Sequence, residues 1–228
     1  MSGLQERLEE IWNKIIESAA KSGNNPKDIT LVVVTKSVGV NTIKELIDLG
    51  VKNIGENRVQ DFTKKYEGVS SNVAWHFIGH LQSNKAKYLT GKVQLIHSLD
   101  RISLALELER LGQMNNQAFN CLVQVNVSGE KSKHGLNPKE VENFLVDVSK
   151  MNYVKVKGLM TMAPLEALPE DTRHVFRSLR KLKNALQKID IPEVDLKYLS
   201  MGMSNDYHIA IEEGSNMVRI GSAILHGK

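Results

Sequence analysis

The stretch Leu31-Val-Val-Val-Thr-Lys36 decides how the chain is read. Five apolar or β-branched residues in a row make a strand buried on both faces, the kind that a parallel sheet requires. The run delivers a lysine to its carboxyl end, and in an α/β barrel the carboxyl ends of the strands form the active face. An amine held there and partly desolvated has a lowered pKa and a nucleophilic neutral form, suited to a Schiff base with a carbonyl compound. A surface lysine that merely follows a strand is the alternative, and Lys36 alone does not separate the two.

On either side of this run the pattern alternates. Leu4, Leu8, Ile11, Trp12, Ile15 and Ile16 recur at helical spacing, giving an extra N-terminal helix over residues 1–22 that stops near Gly23-Asn-Asn-Pro26. Strands are expected near 30–35, 52–55, 73–78, 93–97, 120–127, 154–159, 196–199 and 217–220. Helices fall between them, near 41–49, 57–67, 83–90, 101–114, 138–150, 170–189 and 205–213. Gly50, Gly68, Gly91 and Gly112 sit where helices should stop and would supply left-handed caps. Asn137-Pro138-Lys-Glu140 offers an N-cap and a proline at the first helical position, and Asp100 would cap the helix after it. Strand–helix alternation with short connections predicts a single (β/α)₈ TIM-type barrel domain over 1–228. An open doubly wound sheet shares the alternation, but no Gly-x-Gly-x-x-Gly follows the first strand.

Composition excludes several classes. The 228 residues are 41% hydrophobic and 25% charged with a net charge of +4, an ordinary globular balance. Much of the positive charge lies in Arg173–Lys183, where Val175, Leu179, Leu182 and Leu186 keep helical spacing and leave the basic residues on a solvated face. Phe176 is the only Phe, Tyr or Trp among those charges, so a nucleic-acid stripe is not expected. Cys121, the only cysteine, sits in an apolar strand and reads as a buried core thiol in a reducing setting. No apolar stretch is long enough to span a bilayer, and the acidic, amphipathic N-terminus is unlike a targeting address. A cytoplasmic protein is expected.

The carboxyl ends of the expected strands carry Lys36, Glu56-Asn57, His76, His97-Ser98, Asn126, Thr161, Ser200 and Arg219. Two loops stand out. Leu199-Ser-Met-Gly-Met-Ser204 follows strand seven with Ser204 at an N-cap position, and Arg219-Ile-Gly221-Ser222 closes strand eight with a Gly-Ser turn. Barrels commonly build a phosphate cup from these two loops, whose small residues let an anion reach backbone N–H groups. Helix capping by Ser204 and simple chain reversal at Gly221 are the structural alternative. Arg219 would point at the ring carried by the phosphate, donating to a pyridine nitrogen while staying charged. A salt bridge to Glu56 or Asp206 is its structural alternative. A lysine, a phosphate cup and an arginine between them are jointly explained by pyridoxal 5′-phosphate (PLP).

The ordered motifs extend this. Val34-Thr-Lys36, Gly55-Glu-Asn-Arg-Val-Gln60, Trp75-His-Phe-Ile-Gly-His-Leu-Gln-Ser-Asn-Lys85, His97-Ser-Leu-Asp100, Lys133-His-Gly135, Gly158-Leu-Met-Thr-Met162, Ser200-Met-Gly-Met-Ser204 with Asp206, and Arg219-Ile-Gly-Ser-Ala223 run along nearly the whole chain. Together they make it resemble the pyridoxal phosphate homeostasis proteins, small PLP-binding barrels related to the N-terminal domain of alanine racemases. The resemblance implies PLP bound covalently to Lys36, its phosphate at Ser204, Gly221 and Ser222 with Ser200 a further candidate, Arg219 by the pyridine nitrogen and Asn57 near the ring. It leaves the role of His76, Gln82, Asn84 and Lys85 open. His76-x₃-His80 lacks a third ligand, and no metal is expected. Val38 and Gly39 stand where relatives often carry a second lysine and a proline, and Leu225-His226 replaces a closing Phe-Gly.

The implied function is intracellular PLP homeostasis: the cofactor is stored, buffered or delivered to PLP-dependent apo-enzymes by a monomer without efficient catalysis. A small amino-acid racemase is the alternative, and it needs acid–base groups on both faces of the substrate carbon. Lys36 could serve one face. The opposing tyrosine of alanine racemases comes from a second domain of a partner subunit, and Tyr66, Tyr88, Tyr153, Tyr198 and Tyr207 are not placed by motif to replace it. A phosphosugar barrel with a Schiff-base lysine is a third reading, for which Glu56 is the only good acid–base candidate.

Overall fold

In the computed structural model, residues 3–69, 73–130, 134–164 and 166–227 are described, and Lys133 of the Lys133-His-Gly135 motif lies outside them. The apolar run forms β1 (Thr30–Val34) with Leu31 to Val34 buried, as a strand covered on both faces should be. It is joined by β2 (Asn53–Glu56), β3 (Ala74–Phe77), β4 (Leu95–Leu99), β5 (Phe119–Gln124), β6 (Val154–Met160), β7 (Tyr198–Ser200) and β8 (Met217–Ile220). Each strand pairs in parallel with the next, and β1 pairs with β8 through Val32 opposite Arg219, closing the barrel. The open doubly wound alternative is thereby excluded.

Helix α1 (Gly3–Ser22) turns Leu4, Leu8, Ile11, Ile15 and Ala19 onto the β1 and β8 side, while Trp12 and Ile16 remain exposed. Full burial of one such aliphatic side chain contributes about 1.5–3 kcal/mol, so this strip anchors the extra helix to the barrel wall. Outside the strands lie α2 (Val40–Asp48), α3 (Val59–Tyr66), α4 (Ile102–Asn115), α5 (Val141–Val148), α6 (Arg173–Leu186), α7 (Tyr207–Glu212) and α8 (Ser222–His226). The last had no counterpart in the sequence reading. Among the described residues no helix is long and apolar enough to cross a membrane.

Several local expectations are corrected. Residues Ser83–Leu89 form a 3₁₀ segment instead of an α-helix. Its buried residues, Ala86 and Leu89, lie three apart, the period at which 3₁₀ side chains eclipse. Gly112 does not end its helix but lies within α4, where a Cβ would come 2.3 Å from the Tyr153 Cβ. The left-handed cap is Asn116, at φ +48°. Asp100 makes no cap bond and instead accepts from Arg101 at 2.6 Å. Gly50 and Gly91 do adopt positive φ, whereas Gly68 does not.

The basic face of α6 is not simply solvated. Arg173, Arg177 and Arg180 converge on Glu213, whose side chain is almost fully buried, at 3.3, 2.8 and 3.1 Å, and Arg173 also pairs with Glu170 and Glu212. Burial pushes the Glu213 carboxyl up, but hydrogen bonds from Arg177 and Arg173 outweigh it and hold the group below its ordinary value. These charges tie α6 to α7. Cys121 is fully buried and burial raises its pKa strongly, in keeping with an inert core thiol.

Candidate functional site

Lys36 stands two residues beyond β1 in a turn, as expected at the carboxyl mouth of the barrel. It is exposed, so the protein packing expected to desolvate the amine is not there. Ser37 Oγ lies 2.9 Å from His226 Nε2, which ties the lysine turn to α8. Gly221 sits against the end of β1 so closely that a Cβ would fall 3.0 Å from the Val34 carbonyl oxygen. The Lys36 turn and the Gly221-Ser222 turn are therefore neighbours.

The loops after β7 and β8 also meet. Ser204 does not cap α7, whose N-cap is Asp206. Its Oγ instead faces the Gly221 and Ala223 N–H groups at 3.4 and 3.3 Å. Asp206 accepts from the Met203 N–H at 2.6 Å and closes this turn, and Gly202, at φ +95°, lets it pass the Ala210 Cβ. Small residues, converging backbone donors and a half-buried hydroxyl make a cup that suits an anion. Ser222 is exposed at its rim.

Asn57 follows β2 at the same mouth and is half-buried. Gly79 holds it there, since a Cβ on Gly79 would overlap the Asn57 carbonyl oxygen at 2.0 Å. Beside it Glu56 is fully buried, accepting from Thr35 Oγ1 at 2.6 Å and from Lys65 Nζ at 2.8 Å. Lys65 also donates to the Thr35 carbonyl at 2.8 Å, so the residue preceding Lys36 is clamped from both sides. Both bonds to Glu56 go to Oε1, and Oε2 is buried with no hydrogen-bond partner among the described residues. Lys65 was not anticipated, because nothing in the sequence pairs two residues nine apart across a strand–helix turn.

Arg219 makes neither of the salt bridges considered for it. Its Nη1 donates to Ser200 Oγ at 2.6 Å and its Nη2 to the Thr161 carbonyl at 2.9 Å. Burial lowers its pKa to about 10, a pull that Asp206 partly opposes, so the group is cationic at neutral pH. Ser200, expected in the cup, instead lies inside the barrel between Arg219 and His97.

The histidines are displaced from their expected places. His76 is not at the carboxyl mouth. It lines a cavity of about 430 Å³ at the opposite end, with Asn53, Leu95, Tyr198 and Met217 among its neighbours. His97 lies fully buried between His76 and Ser200. His80 is separated from His76 and stacks on His134 at 4.0 Å, with Asp100 Oδ2 3.7 Å from its Nδ1. The three donor sets lie within 4.8 Å of one another, although Arg101 already neutralises Asp100.

The five tyrosines lie elsewhere. Tyr66 packs on Phe62 and Trp75, Tyr88 lies under Lys85 and Lys87, and Tyr153 sits 3.5 Å from Asn116. Tyr198 lines the opposite mouth, and Tyr207 is buried against α1. The signal that could have placed the inner residues is the two-residue strand period. Leu95/His97, Tyr198/Ser200 and Met217/Arg219 each step up one inward layer from the lower cavity.

Comparison with known proteins identifies the family and the fold. The alanine racemase N-terminal domain family matches residues 17–227. A protein of Aquifex aeolicus named pyridoxal phosphate homeostasis protein is 44% identical over 221 residues, covering 96% of each chain. The Escherichia coli K12 protein of the same name is 35% identical, over 99% of this chain and 97% of its own. The structure of PipY from Synechococcus elongatus with PLP bound superposes with a TM-score of 0.83 at 30% identity, over 97% of this chain and 99% of that one. Alanine racemase of Clostridium difficile shares the fold alone, with a TM-score of 0.76 at 14% identity. The chain belongs to the pyridoxal phosphate homeostasis protein family, built on the alanine racemase N-terminal domain.

Proposed function

We propose that this protein binds PLP at the carboxyl mouth of the barrel and serves intracellular PLP homeostasis by holding and releasing it. The observation that carries the reading is the convergence of the Lys36 turn, the Ser204–Gly221–Ala223 cup and Arg219 on one mouth of the barrel. Lys36 Nζ would hold the cofactor through its aldehyde carbon, the aldehyde oxygen leaving as water. The backbone N–H groups around Gly221 and the hydroxyls of Ser204 and Ser222 hold the phosphate. Arg219 donates toward the pyridine nitrogen and Asn57 borders the ring. Ser200 reaches the group only through Arg219. When bound, the cofactor supplies a reactive carbonyl and an electron-withdrawing ring. A permanently protonated guanidinium donates to the ring nitrogen without surrendering its proton, which weakens that electron sink.

This favours binding over turnover. Efficient racemisation needs a second acid–base group facing Lys36, and the tyrosines are engaged elsewhere. On this reading the protein acts as a cytoplasmic monomer that passes PLP to PLP-dependent apo-enzymes, with no efficient catalysis of its own. Mixing PLP-loaded protein with an apo-enzyme and following the regained activity tests delivery. Regain faster than with an equal concentration of free PLP supports it, and regain limited to spontaneous release contradicts it.

A further inference from the structure

Five side chains form a continuous hydrogen-bonded line through the barrel. Arg219 Nη1 lies 2.6 Å from Ser200 Oγ, Ser200 Oγ 3.0 Å from His97 Nδ1, His97 Nε2 2.9 Å from His76 Nδ1, and His76 Nε2 3.2 Å from Asn53 Oδ1. His97 and Ser200 are fully buried and Arg219 and His76 nearly so. Such a buried line is costly unless every donor finds an acceptor.

Only one direction satisfies the whole line. The guanidinium can only donate, so Ser200 Oγ accepts from Arg219 and has its own O–H left to give. Among the described residues its remaining partner is His97 Nδ1, which must then be unprotonated. His97 therefore carries its proton on Nε2 and donates to His76 Nδ1, and His76 carries its proton on Nε2 and donates to the Asn53 carbonyl oxygen. Reversal would make Ser200 accept twice and leave its O–H without an acceptor. Burial, with His76 and Arg219 adding to it, holds His97 well below its ordinary pKa, and burial lowers His76 to about 4. Both rings are thus neutral at physiological pH, as the single direction requires.

We infer that His97 and His76 are positioning residues, a one-way hydrogen-bond chain anchored at Asn53 that fixes Ser200 and so sets where Arg219 presents its remaining N–H groups at the cofactor mouth. The inference rests on the reading of Arg219 as the group facing the PLP ring. Its consequence is that residues lining the mouth opposite the cofactor tune the cofactor's electronic state without touching it. His97 is the link whose removal breaks the line at its centre. Gln can accept from Ser200 through its carbonyl and donate to His76 through its amide, reproducing the direction, whereas Leu can do neither.

The first test needs no cofactor. In ¹⁵N-histidine-labelled protein without PLP, imidazole correlation spectra at neutral pH should show His76 and His97 both protonated on Nε2 alone. A proton on Nδ1 of either ring, or a cationic ring, would overturn the chain. The second test compares PLP-loaded wild type, His97→Leu and His97→Gln. The position and pH midpoint of the visible PLP band should shift in His97→Leu, with roughly tenfold weaker PLP binding, and both should return toward wild type in His97→Gln. A folded His97→Leu variant with the wild-type band and affinity would overturn the inference. If His97→Leu does not fold, the wild-type imidazole spectrum decides. Failure of the wild type to bind PLP would refute the proposed function and leave the imidazole spectrum still able to judge the chain.

Discussion

Arg219 Nη1 donates to Ser200 Oγ at 2.6 Å, so a cation inside the barrel hangs from a neutral hydroxyl and not from a carboxylate. Its second bond goes to the Thr161 carbonyl, also neutral. A buried charge without an anionic partner is expensive, and proteins keep such groups where a ligand completes them. In the proposed function that ligand is the cofactor, whose neutral ring nitrogen accepts a hydrogen bond from Arg219.

Replacing the cation tests this environment. Arg219→Glu places a carboxylate against the Thr161 carbonyl, leaving two acceptors facing each other in a dry site. A destabilisation of about 3–5 kcal/mol is expected, read by urea denaturation. Wild-type stability would show that Arg219 is not held where the structure puts it.

Lys36 behaves differently. As an exposed turn residue it contributes little packing, so Lys36→Ala should change stability by no more than about 0.5 kcal/mol while abolishing covalent attachment. A clear loss of folding cooperativity in that variant contradicts the placement.

Beneath Lys36, the Glu56–Lys65 pair clamps Thr35. Glu56→Ala strands a largely buried ammonium and should cost about 3–5 kcal/mol. At this chain length that corresponds to a fall in Tm of roughly 10 °C. An unchanged Tm would mean that the pair is not formed.

Acid should weaken the fold through the histidine line. His76 has a folded pKa of about 4 against an ordinary 6.5, so the unfolded chain takes up a proton that the folded one refuses. Stability is fully present above pH 6.5, falls as pH drops from 6.5 toward 4, and levels below that. Over this window His76 alone accounts for about 3 kcal/mol, and the buried His97 adds loss in the same direction. Denaturant titrations at pH 7 and pH 4.5 check it, and stability that rises on acidification would contradict it.

The barrel was legible in the sequence because its strands are apolar runs broken at regular intervals, β1 most plainly. Lys36, Asn57, Ser204, Gly221 and Ser222 are legible as mouth residues because they lie in the first few residues after a strand. The inner residues were misplaced for a physical reason. How high a residue sits in a barrel depends on the stagger between strands, and no single strand contains that information. Thus His76 and Ser200 read as mouth residues although one lines the far end and the other lies in the interior. Gly112 misled similarly: glycine suggests a helix end, while here it makes room for Tyr153. The α6 arginines looked solvated because their partner Glu213 lies more than thirty residues away.

The most direct test is the visible absorption spectrum of purified protein with added PLP, for wild type and Lys36→Ala, before and after borohydride, followed by peptide mass spectrometry. A band in the wild type, absent in the variant, and a reduced pyridoxyl group fixed on Lys36 are expected. No band and no adduct, or an adduct on another lysine, would contradict that attachment.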